Sequence, residues 1–120
     1  MSKKNIVIID DEREILNMLE RFLSRKDYNV KTFDNPVTAI NALPRDTDLV
    51  LLDIMMPQMN GLDALPRIVE KNPKIKVVMM TAFSTLDKVI NAHRNGADSY
   101  VMKPFESLEA LSKKVEEMLA

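Results

Sequence analysis

The stretch Ile6-Val7-Ile8-Ile9-Asp10-Asp11 decides how the rest of the chain is read. Four β-branched residues with no polar residue between them suit a strand covered on both faces, as in a parallel sheet packed between layers of helices. Two carboxylates then end the run. Working outward, comparable runs recur at Leu49-Val50-Leu51-Leu52, ending in Asp53, and at Ile75-Lys76-Val77-Val78-Met79-Met80, ending in Thr81. A weaker one, Ser99-Tyr100-Val101-Met102, ends in Lys103. A fifth, Asn29-Val30-Lys31-Thr32-Phe33, alternates apolar and polar residues, as a half-exposed edge strand does.

Helical spacing fills the intervals. Ile15, Leu16, Leu19, Phe22 and Leu23 fall on one stripe, as do Leu86, Val89 and Ile90, and Leu108, Leu111, Val115 and Met118. Asn35-Pro36 reads as an N-cap followed by proline at the first helical position, and Ser84 with Asp87 resembles a capping pair. Gly96 is placed to cap a helix over 86–95, and Asn60-Gly61 marks a turn. A helix at about 62–72 contains Pro66, which is tolerable if it falls within the first turn. The order is then strand and helix repeated five times. Right-handed crossovers make this a doubly wound α/β fold, a parallel sheet with helices on both faces.

At 120 residues the chain has room for one domain, and such a chain buries roughly two-thirds of its unfolded surface without staples. The absence of cysteine excludes disulfides and thiolate metal sites. Seventeen basic and eighteen acidic side chains leave a net charge of −1, which argues against direct nucleic-acid binding by this domain. No apolar run approaches the ~18 residues of a membrane span, and residues 1–4 lead into a strand instead of a signal-peptide core. A soluble, cytoplasmic protein without a membrane partner is expected.

In a parallel sheet all carboxyl ends lie along one edge, where open α/β folds bind ligands. That rim receives Asp10, Asp11, Asp53, Thr81 and Lys103. Three clustered carboxylates repel one another and raise each other's pKa unless a cation neutralises them. An oxygen-only ligand set, with no histidine or thiolate nearby in sequence, suits Mg²⁺, with Mn²⁺ as a substitute. A lysine and a threonine aimed at the same point suit a phosphoryl group, and a carboxylate there could itself be the nucleophile, forming an acyl phosphate.

These motifs, Ile-Val-Ile-Ile-Asp10-Asp11-Glu12, Leu-Leu-Asp53-Ile-Met-Met56-Pro57-Gln-Met59-Asn-Gly61, Met-Thr81-Ala82 and Lys103-Pro104-Phe105, together resemble a response-regulator receiver domain, the phosphoacceptor module of two-component signalling. The resemblance runs from about residue 4 to 119, so that 1–120 reads as a single receiver domain. It implies the flavodoxin-like receiver fold, with five parallel strands in the order 2-1-3-4-5. By that resemblance Asp53 accepts a phosphoryl group from a phosphohistidine of a sensor histidine kinase or histidine phosphotransfer protein. Asp11 ligates Mg²⁺ directly and Asp10 through water, with Asp53 and the Met55 carbonyl completing the protein ligands. Lys103 pairs with the phosphoryl oxygens, and its bond to Pro104 is expected to be cis.

The resemblance also makes Thr81 and Tyr100 the switch pair. Phosphorylation draws the Thr81 hydroxyl inward and Tyr100 follows, reshaping the face of fourth helix, fifth strand and fifth helix that controls a downstream effector or output domain. Small Ala82 leaves access to the site. Met55 and Phe83 occupy the two positions thought to tune loss of the phosphoryl group. Both are apolar and unable to orient water, so slow self-dephosphorylation is expected. Kinase choice in the family resides largely near Glu14, Ile15, Met18 and Leu19 and in the loop after Lys103. Val89 and Ser99 stand where some receivers carry the charges of a dimer interface, so that dimer is not expected.

The residues also have plainer readings. Asp10-Asp11 alone could be a helix cap, the methionines around the site (Met55, Met56, Met59, Met79, Met80 and Met102) core filling, and His93 a surface residue. The alternating charges of Lys113-Lys114 and Glu116-Glu117 suit a solvated helix face. A haloacid-dehalogenase-type phosphatase also uses an Asp nucleophile and Mg²⁺, but carries a second acid two positions on, where this chain has Met55. The remaining alternatives are a phosphorylation-independent interaction module and one piece of a longer regulator.

Overall fold

The structure is a computed structural model that describes residues 3–82, 94 and 96–120. Its strands are β1 (Asn5–Ile9), β2 (Asn29–Phe33), β3 (Leu49–Asp53), β4 (Lys76–Thr81) and β5 (Ser99–Met102). Four helices stand among the described residues: α1 (Arg13–Arg25), α2 (Pro36–Ala42), α3 (Gly61–Lys71) and the C-terminal α4 (Leu108–Leu119). Every pairing is parallel, in the order β2-β1-β3-β4-β5. This is the doubly wound receiver arrangement that the motifs imply.

Alternation along the strands divides the core into two layers. Val7, Ile9, Val50 and Leu52 pack against Ala39 and Ile40 of α2 and Ala64, Leu65 and Ile68 of α3. Their neighbours Ile6, Ile8, Leu49 and Leu51 pack against Leu16, Leu19 and Leu23 of α1 and Leu111 and Val115 of α4. Burying both faces is what the uninterrupted apolar runs of β1 and β3 allow. The alternating β2 lies at an edge, with no buried residue.

Local signals mostly act as the sequence predicts. Asn35 caps α2 by accepting the Val37 N–H at 2.9 Å, with Pro36 at the first helical position. Asn60, read as part of a turn, is instead the N-cap of α3 and accepts the Leu62 N–H at 2.8 Å. Pro66 departs from expectation, because α3 begins at Gly61 and runs on to Lys71, leaving the proline inside the helix and beyond its first turn. Pro66 sits on the exposed face of the helix, while Ala64, Leu65 and Ile68 hold the opposite face in the core.

The expected helix over 86–95, the Ser84/Asp87 pair, Phe83, Val89 and His93 lie outside the described residues. Gly96, expected to cap that helix, has φ +108°, a conformation that favours glycine. Met56, Met79 and Met80 are core residues, whereas Met55 and Met102 are exposed. Lys113, Glu116 and Glu117 face solvent as expected, and Lys114 is half-buried. No helix among the described residues is long and apolar enough to cross a membrane.

Candidate functional site at the carboxyl rim of the sheet

The carboxyl ends of four strands converge as expected. Asp10 follows β1, Asp53 ends β3, Thr81 ends β4 and Lys103 follows β5. Asp10, Asp53 and Thr81 are all buried. Adjacent strands hold these positions in register: Ile9 pairs with Leu52, Asp53 with Met80, and Thr81 with Met102. The Lys103 N–H donates to the Thr81 carbonyl at 2.7 Å, extending the β4–β5 ladder to the site, and the Lys103–Pro104 peptide is cis.

Close packing of α3 defines the β3 end. The Gly61 N–H donates to the Ile54 carbonyl at 2.7 Å, and a Cβ at Gly61 would lie 2.1 Å from the Asp53 carbonyl oxygen. Only glycine allows that approach of helix start to strand end. On the other side, α1 begins without a side-chain cap, and Asp10 Oδ1 accepts the Glu12 N–H at 2.9 Å. The plainer reading of Asp10 as a helix cap is not met: the N-cap is Glu12, and Asp10 holds the N–H of that residue and none within the first turn of α1. Its other oxygen accepts from Lys103 Nζ at 2.5 Å.

Lys103 links the acidic groups. Its ammonium also lies 3.4 Å from Asp53 Oδ1 and 3.4 Å from Glu12 Oε1, and the lysine side chain is only 10% exposed. Burial, followed by the charge of Asp10, pushes the Asp53 carboxyl up to about 7 against the opposing pull of Lys103. Burial also raises Asp10, offset in part by the hydrogen bond from Lys103. Burial acts to lower Lys103, but its contact with Asp10 and the charges of Asp10, Asp53 and Glu12 outweigh this and raise it. Among the described residues the acidic pit holds a single ammonium and is thus short of positive charge.

The donor chemistry fits a hard cation. Asp10, Asp11 and Glu12 each offer a carboxylate oxygen, all within 4.8 Å of one another. Asp53 Oδ1 lies 3.4 Å from the same ammonium that Asp10 and Glu12 contact. Glu12 is the residue to which the sequence reading gave no role; its signal was a third consecutive acid at the end of β1. Of the other expected positions, Met55 is half exposed, Thr81 is buried, and Tyr100 is 42% exposed on β5. Among the proposed kinase-contacting residues, Leu19 is fully buried and so cannot meet a partner; Glu14 is exposed, and Ile15 and Met18 are partly so. The helical stripe that Leu19 belongs to is needed by the core.

Comparison with known proteins agrees with this architecture. The family model for the response regulator receiver domain matches residues 6–116. The transcriptional regulator NtrC of Proteus hauseri is 38% identical over 113 residues, covering 93% of this chain and 24% of the relative. CpxR of Escherichia coli is 36% identical over 109 residues, covering 90% of this chain and 46% of the relative. The chain therefore spans about a quarter to a half of the length of these two regulators. Among solved structures, the BeF3-activated receiver domain of DrrB superposes with a TM-score of 0.90 at 30% identity, covering 98% of both chains. A two-component response regulator from Clostridium difficile superposes with a TM-score of 0.92 at 28% identity, covering 98% of this chain and 96% of that one. The chain belongs to the response regulator receiver domain family.

Proposed function

We propose that the chain, as one receiver domain over 1–120, is a phosphoacceptor switch in which Asp53 takes a phosphoryl group from a phosphohistidine of a sensor kinase or phosphotransfer protein. A carboxylate oxygen of Asp53 bonds to phosphorus as the bond from phosphorus to the imidazole nitrogen breaks, leaving an acyl phosphate on the aspartate. The observation that carries this reading is a buried Asp53 at a strand end, 3.4 Å from the ammonium of Lys103. Lys103 pairs with charge on the transferred group, and the Thr81 hydroxyl, at the end of the neighbouring strand, donates to a phosphoryl oxygen.

Mg²⁺, or Mn²⁺ in its place, would be held by Asp10, Asp11, Asp53 and the Met55 carbonyl. Bound there, it supplies the positive charge that lets an anionic phosphoryl group approach an anionic carboxylate. The chain contributes fixed positions: β1 and β3 are locked side by side by the pairing of Ile9 with Leu52, so that the acids converge without rearrangement.

The output surface is the face formed by the helix expected over 86–95, which lies outside the described residues, together with β5 and α4. Tyr100 and Met102 expose their side chains there, and a shallow groove of about 200 Å³ lies beside them, lined by Val101, Phe105, Ala110 and Lys114 among others. Phosphorylation shifts the population of this face through Thr81 and Tyr100 and so controls an effector or an output domain. Met55 and Phe83 offer no group to orient water, which gives a slow loss of the phosphoryl group. A half-life of seconds at neutral pH would exclude this.

Intact mass after incubation with Mg²⁺ and acetyl phosphate tests the assignment. One phosphoryl addition is expected, absent in Asp53→Asn and absent when the metal is chelated. A folded wild type that takes up none would instead be a phosphorylation-independent interaction module.

A further inference from the structure

Both oxygens of Asp10 are engaged. Oδ1 accepts the Glu12 N–H at 2.9 Å and Oδ2 accepts Lys103 Nζ at 2.5 Å, and the residue is fully buried. A divalent cation that draws on Asp10, directly or through water, meets two engaged oxygens, of which Oδ2 is held by a side chain that can move and Oδ1 by the backbone, so the cation and Lys103 compete for the charge on Oδ2. The Lys103 side chain is only 10% exposed, so displacing its ammonium from Asp10 without a new partner would leave a largely buried charge unpaired. One carboxylate is placed to receive it. Glu12 Oε1 already lies 3.4 Å from Nζ, its side chain is 62% exposed and free to follow the ammonium, and its backbone is pinned by Asp10 itself.

We propose that Glu12 is a positioning residue that receives the Lys103 ammonium when a divalent cation takes Asp10 and holds it beside Asp53. This rests on the cation-dependent phosphoacceptor reading above and deepens it. Lys103 and the cation compete for one carboxylate, and Glu12 converts that competition into an exchange. The lysine changes partner within the pit and stays within reach of the acceptor. Glu12 thereby favours cation binding through Lys103, without being a ligand.

A double-mutant cycle on Mg²⁺ affinity, measured by calorimetry with unphosphorylated protein, separates this from the alternatives. Glu12→Gln is expected to weaken Mg²⁺ binding about fivefold in the otherwise wild-type protein and by less than about twofold when Lys103 is methionine, the difference being the coupling between the two side chains. Equal weakening in both backgrounds would overturn the proposal, since Glu12 would then act as a direct ligand or as general negative charge. No weakening in either would overturn it too. If Lys103→Met does not fold, lysine ¹⁵N spectra at saturating Mg²⁺ decide: the Lys103 ammonium resonance should differ between wild type and Glu12→Gln, and identical spectra would overturn the proposal. A wild type that binds no Mg²⁺ would remove the cation-dependent reading and this inference together, whereas binding with an additive cycle removes the inference alone.

Discussion

Carboxylates occur at both ends of the sheet, and the two ends use them differently. At the amino end, Asp48 Oδ2 accepts the Asn5 N–H at 2.7 Å and Asp98 Oδ2 accepts the Val77 N–H at 2.8 Å. Each ties the start of one strand to its neighbour, and the side chain is engaged by the fold. At the carboxyl end, Asp10 and Asp53 are buried around the Lys103 ammonium, and burial raises both. The same residue type is structural where its carboxylate ties one strand to the next, and poised for chemistry where it is desolvated and short of counter-charge.

Removing that counter-charge is the most severe way to break the contrast. Lys103→Met leaves buried carboxylates without their cation and should destabilise the metal-free protein by about 3 kcal/mol at pH 8. The loss should shrink toward pH 5, as the carboxylates protonate, and on adding Mg²⁺. Denaturant melts at the two pH values, with and without the ion, measure this; a pH-independent loss would mean that Lys103 stabilises only by packing.

Asp53→Asn sharpens the comparison from the other side. The folded-state pKa of Asp53, about 7, lies above the ordinary aspartate value, so folding takes up a proton between about pH 4 and 7. For this group stability is highest below the unfolded pKa and falls as pH rises through the folded one. The neutral amide escapes that loss. The variant should match wild type near pH 4 and exceed it at pH 8, by about 2 kcal/mol or several degrees in Tm, when no metal is present. A variant less stable than wild type at pH 8 would show that the ion pair with Lys103 outweighs the burial.

The smallest effect belongs to the amino end. Asp48→Ala leaves the Asn5 N–H without its acceptor and should cost about 1 kcal/mol. That loss should be insensitive to Mg²⁺ and without effect on phosphoryl uptake measured by mass. Any change in uptake would mean that the two ends are coupled through the sheet.

Much of this was legible in the residues. The apolar runs at β1 and β3 announced strands covered on both faces, the alternation in Asn29–Phe33 announced an edge, and the polar residues that end the runs announced the rim. Pro66 and Leu19 show where local reasoning stops. The proline is placed by which face of α3 meets the sheet, and Leu19 is needed by the core in the same helix whose Glu14 faces solvent. Both depend on helix orientation, which spacing alone leaves open.

The sequence by itself determined the order of elements, the residues delivered to the rim and, through their joint motifs, the family. Those properties follow from local periodicity and from side-chain chemistry at strand ends, which need no knowledge of distant neighbours. Only the tertiary structure decided which carboxylate holds Lys103, that Glu12 shares it, and that Gly61 must approach the Asp53 carbonyl too closely for any Cβ. Lys103 and Asp10 are 93 residues apart along the chain. Their pairing arises only when β1, β3, β4 and β5 lock side by side, and distances of a few ångströms among desolvated charges then set which group is held and which is left to react.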